Sequence, residues 1–240
     1  MPSLPALIAS ERAASWIAAA CFALTIVLYF GSKALYARFR WPWLTPLLVV
    51  PVALGAIVLL ARIPYPVYFR DTRWLMWLLG PATVAFAVPI YEYRQLIRRH
   101  WLSLSVGVAV GVLSGVAGSL ALARLLHLSA DLQHSLLTRS VSTPFALAVS
   151  DRLHASRDLT ALFVIATGVV GMLVGELVLA ILPLRSRLAC GALLGAAAHG
   201  AGTVKARELG SQEGVVASLT MMICGVVMVL LAPLLAVWLN

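Results

Sequence analysis

Long apolar runs separated by short basic joints set the pattern of the chain. Hydropathy places runs near 16–36, 42–62, 74–97, 101–126, 159–183, 188–206 and 214–238, each close to the roughly 20 residues that carry a helix across a bilayer. One apolar stretch does not fit. Thr138–Ser150 reads T-R-S-V-S-T-P-F-A-L-A-V-S and is too short for a helical crossing. Its Ser140, Ser142 and Thr143 stand beside Pro144, which has no backbone donor. Broken backbone persists in a membrane only where protein or a water-filled cavity surrounds it. The stretch is therefore predicted to be a re-entrant or half-helical element enclosed by the rest. The expected architecture is all-α: a polytopic membrane protein of about seven spans plus broken or re-entrant segments, forming a single membrane domain over residues 1–240.

Composition supports this reading. Of 240 residues, 62% are hydrophobic and 11% charged, against about 25% charged in a soluble domain. No polar segment is long enough to build an extramembrane domain. The net charge of +9 reflects 18 Lys and Arg against 9 Asp and Glu; the cations sit mostly in Lys33–Arg40, Arg62–Arg73, Arg94–Arg99, Arg152–Arg157, Arg185–Arg187 and Lys205–Arg207. Cations beside spans set topology and meet anionic lipid. Nucleic-acid binding needs a basic face on a soluble module, so it is excluded. The positive-inside rule puts Lys33, Arg38, Arg40, Arg94, Arg98 and Arg99 in the cytoplasm and Arg62, Arg70 and Arg73 opposite. Further along, the basic residues divide too evenly to orient the second half.

Trp16–Tyr36 is longer than a signal-peptide core and is preceded by Glu11 and Arg12, so it is expected to stay as the first helix. Cys21, Cys190 and Cys224 stand far apart in apolar settings and read as buried free thiols. No Cys/His spacing suits a metal, and there is no nucleophile elbow, P-loop or paired acidic motif. Neither a cofactor nor enzymatic activity is expected.

Gly107, Gly111 and Gly115, with Ser114 and Gly118, repeat at four-residue spacing, and Gly171–Gly175 and Gly191–Gly195 do the same. Small residues at that interval let helices approach closely in lipid. They predict a tight bundle and offer a face for a homodimer.

Four places introduce polar chemistry into the apolar runs. Gly80, Pro81, Thr83 and Pro89 interrupt 74–97. The prolines leave the carbonyls of Trp77 and Ala85 without helical partners, which fits a discontinuous helix and a simple kink equally. The second place is the 138–150 stretch. P-A-T-V-A-F-A-V-P at 81–89 is similar to S-T-P-F-A-L-A-V-S at 142–150, and paired interrupted segments point to a midplane site in repeat-built transporters. The third is Gly195–Glu208, G-A-A-A-H-G-A-G-T-V-K-A-R-E. There Gly200 and Gly202 permit unwinding after His199, Thr203 adds a hydroxyl and Lys205 a cation. An isolated histidine is usually structural and a lysine can snorkel, but ionisable groups are expensive in a membrane and the combination favours function. The fourth is Glu176, a proton carrier or a partner for a cation.

At these residues the sequence resembles the LrgB/CidB family. The carriers are L-L-G-P-A-T-V-A-F-A-V-P-I-Y-E (78–92), R-S-V-S-T-P-F-A-L-A-V-S (139–150), L-T-A-L-F-V-I-A-T-G-V-V-G (159–171), the 195–208 motif and Q-E-G-V-V-A-S-L (212–219). The chain departs from the family pattern in having Ser142 for a threonine, Ala155-Ser156 for a glycine pair, and Val204-Lys205 where Ala-Arg is usual. The resemblance implies a protein of the bacterial cytoplasmic membrane, in one of two roles. One is a carrier for a small monocarboxylate of the pyruvate, glycolate or glycerate class, working by alternating access. The alternative is an antiholin-like regulator of a small LrgA/CidA-like partner, affecting murein hydrolase activity and autolysis. In the carrier role, Thr83, Ser140, Ser142, Thr143, Gly202 and Thr203 would hold the anion while His199 and Lys205 supply positive charge. Gly80, Pro81, Pro89, Pro144 and Gly200 would shape the breaks, and His199 or Glu176 would couple protons.

Overall fold

A computed structural model describes residues 4–39, 41–85, 87–182, 184 and 186–239; Arg40 and Arg185 of the basic joints lie outside the described residues. Helix dominates, and no strand occurs among the described residues. The chain resolves into two compact units, Met1–Pro81 and Ala82–Asn240.

In the first unit α1 (Leu4–Phe39) packs on α2 (Pro46–Leu60) and α3 (Tyr65–Trp77). Apolar residues supply the surface, so hydroxyls must find partners within their own helix. Thr25 Oγ1 donates to the Cys21 carbonyl at 2.8 Å, and Thr72 Oγ1 donates to that of Tyr68 at 2.7 Å. Pro46 opens α2, where a missing donor costs nothing. Its 15 residues make α2 too short to cross a hydrocarbon core about 30 Å thick.

Among the described residues, five helices are long and apolar enough to cross a membrane: Ala13–Phe39, Tyr65–Glu92, Trp101–Leu125, Arg157–Ile181 and Ser211–Trp238. Of the other expected runs, 42–62 holds the shorter apolar helix Pro46–Leu60 and 188–206 lies within the helix Arg187–Leu209. The 74–97 run is redrawn. Helix begins earlier, with α3 at Tyr65, and α4 (Leu79–Ala85) and α5 (Ala87–Glu92) follow as separate pieces. Arg70 and Arg73 therefore lie on a helix rather than in a joint. Leu78 separates α3 from α4 shortly ahead of Pro81, which has no N–H to return to the Trp77 carbonyl.

In the second unit α6 (Arg94–Arg99) leads into α7 (Trp101–Leu125), followed by α8 (Ala130–Leu137), a single 3-10 turn (Thr138–Ser140) and α9 (Thr143–Arg152). The long helices α10 (Arg157–Ile181), α11 (Arg187–Leu209) and α12 (Ser211–Leu239) complete it. The core forms around the short pieces. Leu137, Val141, Phe145, Ala146 and Val149 pack with Val108 and Val112 of α7, Val164 of α10, and Cys224 and Met228 of α12. Serine at 156 acquires a structural purpose here: it caps α10 by accepting from Leu159 N at 3.4 Å.

The small-residue stripes are used inside the chain. A Cβ on Gly195 would lie 2.7 Å from Ala217 Cα, and one on Gly111 would lie 3.0 Å from Ala196 Cβ. Gly171 backs onto the Ala197 carbonyl. These faces hold α11 against α12, α7 and α10, so they no longer argue for a second copy. Of the three free cysteines Cys21 and Cys224 are buried, but Cys190 is only partly covered. Gly195→Leu should lower the melting temperature in detergent by roughly 2–10 °C through overpacking. Gly118→Ala, with nothing within 4 Å of the new carbon, should leave it unchanged or raise it slightly.

Candidate functional site

The centre of the second unit is built where two helical elements are interrupted. After α8 ends, Val141 is extended (φ −137°, ψ 167°) and Ser142 (φ −67°, ψ 152°) takes the N-cap position of α9. Pro144 falls in the first turn of α9, where no carbonyl waits for the donor it lacks. The Ser142 side chain makes no capping bond, and the start of α9 carries the partial positive charge of a helix N-terminus. Thr138, Ser140 and Ser142 are all buried. Thr138 Oγ1 donates to the Ser135 carbonyl at 2.8 Å and shares a hydrogen bond with Thr160 Oγ1 at 3.1 Å, tying the break to α10.

The second interruption lies in α11. Its helical course is broken at His199, with φ 48° and ψ −122°. Only glycine adopts that conformation readily, and a side chain there stores strain on the order of 1–3 kcal/mol. The break expected at Gly200 therefore falls one residue earlier, and none of the described glycines has a positive φ. Thr203 Oγ1 donates to the His199 carbonyl at 2.8 Å, covering an acceptor beside the break. Gly202 lies so close to the Leu194 carbonyl that no side chain would fit.

The two breaks meet. The His199 imidazole is 2% exposed and faces the Ser140 backbone without the alignment of a hydrogen bond. Both of its ring nitrogens, Ser140 Oγ and Ser142 Oγ lack a partner within the protein. Four unpartnered polar atoms in so small a region are costly to bury, and such groups call for a specific cause. Gly115 of α7 makes room for Ser140, its absent side chain leaving the serine Oγ against the helix. Thr143 is half-buried at the first position of α9.

The charged residues separate into two kinds. Lys205 Nζ lies 2.8 Å from Glu176 Oε1 and 3.4 Å from Glu208 Oε2. Of the two roles open to Glu176, the structure provides the partner for a cation. Lys205 is already neutralised by carboxylates, so the positive charge expected of it at the anion site is engaged elsewhere. Arg139, within the 3-10 turn, behaves differently. Its Nε donates to Ser119 Oγ of α7 at 3.1 Å and its Nη1 to Thr167 Oγ1 of α10 at 3.3 Å. Among the described residues no carboxylate lies within 4.0 Å of it.

Reasoning from the sequence missed Arg139, Ser119 and Thr167. The signal for Arg139 is present in the chain, since a cation inside the most polar apolar stretch is itself a functional candidate. Ser119 and Thr167 carry no signal, because a lone hydroxyl on a long apolar helix usually bonds its own backbone. The interrupted 74–97 region sits differently. Neither α4 nor α5 contains a buried residue, Thr83 and Pro89 are half-exposed, and nothing lies within 4 Å of where a Gly80 side chain would begin. Among the described residues no group of three His, Cys, Asp or Glu side chains gathers as a metal site would require.

No solved structure matches the chain. It is 38% identical to the uncharacterized protein YwbG of Bacillus subtilis, covering 88% of this chain and 94% of that one. It is 35% identical to YxaC of the same organism, over 92% and 97% of the two chains. It is 30% identical to the holin-like protein CidB of Staphylococcus epidermidis, over 88% of this chain and 93% of the relative. The model of the LrgB-like family matches residues 25–238, and the chain belongs to that family.

Proposed function

We propose that the protein acts in the bacterial cytoplasmic membrane as an antiholin-like regulator of a small holin-like partner, and so modulates murein hydrolase activity and autolysis. The observation that carries this reading is the alignment with a relative named holin-like along 93% of that relative's length. A likeness so nearly complete concerns the whole membrane body rather than one shared motif. Exposed apolar side chains on α7, such as Val106, Val110 and Leu113, supply a surface suited to lipid or to another helix.

One structural observation favours a second reading, a carrier for a small monocarboxylate of the pyruvate, glycolate or glycerate class. It is the meeting of two interrupted helices at buried Ser140, Ser142 and His199, whose polar atoms have no protein partner. Interrupted helices that present amide ends and hydroxyls to one point suit an anionic substrate. In this reading the strained His199 backbone is the hinge: relaxing it would redirect the second half of α11 and open the site to one side. His199 is then the group placed to couple protons, because Glu176 is engaged with Lys205.

Ser142→Ala, Thr143→Ala and His199→Ala separate the two. A regulator acting through contacts keeps partner capture and the lysis phenotype in all three variants. A carrier loses liposome uptake of labelled pyruvate, glycolate or glycerate by about tenfold or more for each lost charge-assisted contact, while insertion stays normal. The hinge makes its own prediction: His199→Gly should be more stable than His199→Ala by about 1–2 kcal/mol. That order reverses the usual helix preference for Ala over Gly, and detergent melting curves of the two variants check it.

A further inference from the structure

We propose that Arg139 is the residue that fixes the negative charge of a small carboxylate monoanion in the polar centre formed by Ser140, Ser142 and His199. The proposal rests on the carrier reading and names the cation that reading requires.

A cation at membrane depth ordinarily pairs with a carboxylate or lies in a polar cavity, and Lys205 follows the first rule with two partners. Arg139 has none within 4.0 Å among the described residues. What surrounds it is neutral: two hydroxyls from two different helices. The carbonyl end of α8, just before the turn, offsets part of the charge and no more.

Geometry then limits what the missing partner can be. A guanidinium has five N–H donors. Ser119 occupies one on Nε and Thr167 one on Nη1, so the fork is held at two points and the Nη2 amino group still has its donors to give. Holding the fork in advance removes the ordering cost that a free arginine would incur on binding. The adjoining residue is Ser140, and His199 faces the Ser140 backbone. The free guanidinium edge and the unpartnered hydroxyls of Ser140 and Ser142 belong to the same short segment, which leads directly into the N-terminus of α9. A single cation matches a single negative charge; a dianion would leave one charge buried and uncompensated. Planar guanidinium suits planar carboxylate. Lipid phosphates are too large for a segment whose serines are 7% and 9% exposed.

The test uses the full chain in nanodiscs with radiolabelled pyruvate and glycolate as probes. Arg139→Gln should weaken binding at least about tenfold, the scale of one charge-assisted pair. Arg139→Lys should fall between it and wild type, because the charge survives and the fork does not. Ser119→Ala and Thr167→Ala should each weaken binding by a smaller factor, and Arg157→Gln, which removes an exposed pair with Asp151, should bind as wild type does. A second measurement needs no variant. Phenylglyoxal modification of Arg139 in the wild-type protein, followed by peptide mass spectrometry, should be slowed by pyruvate and not by its neutral methyl ester. If wild type binds the probes while Arg139→Gln binds equally well, or if pyruvate gives Arg139 no protection, the assignment is overturned and the carrier reading stands. If wild type binds neither probe, both fall together.

Discussion

A polypeptide that interrupts its own helix inside an apolar environment must supply the lost hydrogen-bonding surroundings from other parts of itself. That constraint organises the second unit. The segment from Leu137 to Val149 is short and polar in its middle, yet it supplies Leu137, Val141, Phe145, Ala146 and Val149 to the buried core. The longer helices α7, α10 and α12 pack around it with their apolar faces, and each contributes a small residue or a hydroxyl where the segment comes too close or too polar. Gly115 admits Ser140, Gly225 admits the ring of Phe145, and Thr160 receives Thr138. The long spans are thus shaped by a short one.

The same constraint explains why α11 and α12 pack so closely. A helix that carries a left-handed residue in its middle cannot rely on its own regularity. Gly191 and Gly195 bring α11 to the backbone of α12 on the N-terminal side of the break, and Thr203 covers the His199 carbonyl on the other side. Close packing against a neighbour over-determines the strained position and holds it. Strain of this kind, placed on a histidine rather than on the glycine that follows it, is what a structure keeps when a side chain is needed at that point.

Charge follows a matching division. Near the ends of α10 and α11 a lysine is neutralised by two glutamates, an arrangement that contributes to the joining of the helices and leaves nothing for a ligand. At the centre an arginine is held by hydroxyls alone. Both cations are close to polar breaks in the sequence, and only their partners distinguish a structural role from a chemical one.

Much was legible in the chain itself. Apolar runs between basic joints determined an all-α membrane protein, because backbone groups in lipid must be satisfied within the segment. The hydroxyls beside Pro144 determined a break, because proline cannot donate and about 13 apolar residues cannot cross. Tertiary structure alone decided which polar residues share a place. Sequence spacing could not bring Arg139 to Ser119 and Thr167, since those contacts join α7, the turn and α10 across gaps of 20 and 28 residues. It could not shift the break from Gly200 to His199 either, because propensity favours glycine for φ > 0 and only packing can hold a histidine there. Nor could it tell that Glu176 would neutralise Lys205, a pairing that exists only once α10 and α11 lie side by side. Local chemistry determines that a helix must fail; the neighbours it packs against decide at which residue it does and what the failure is used for.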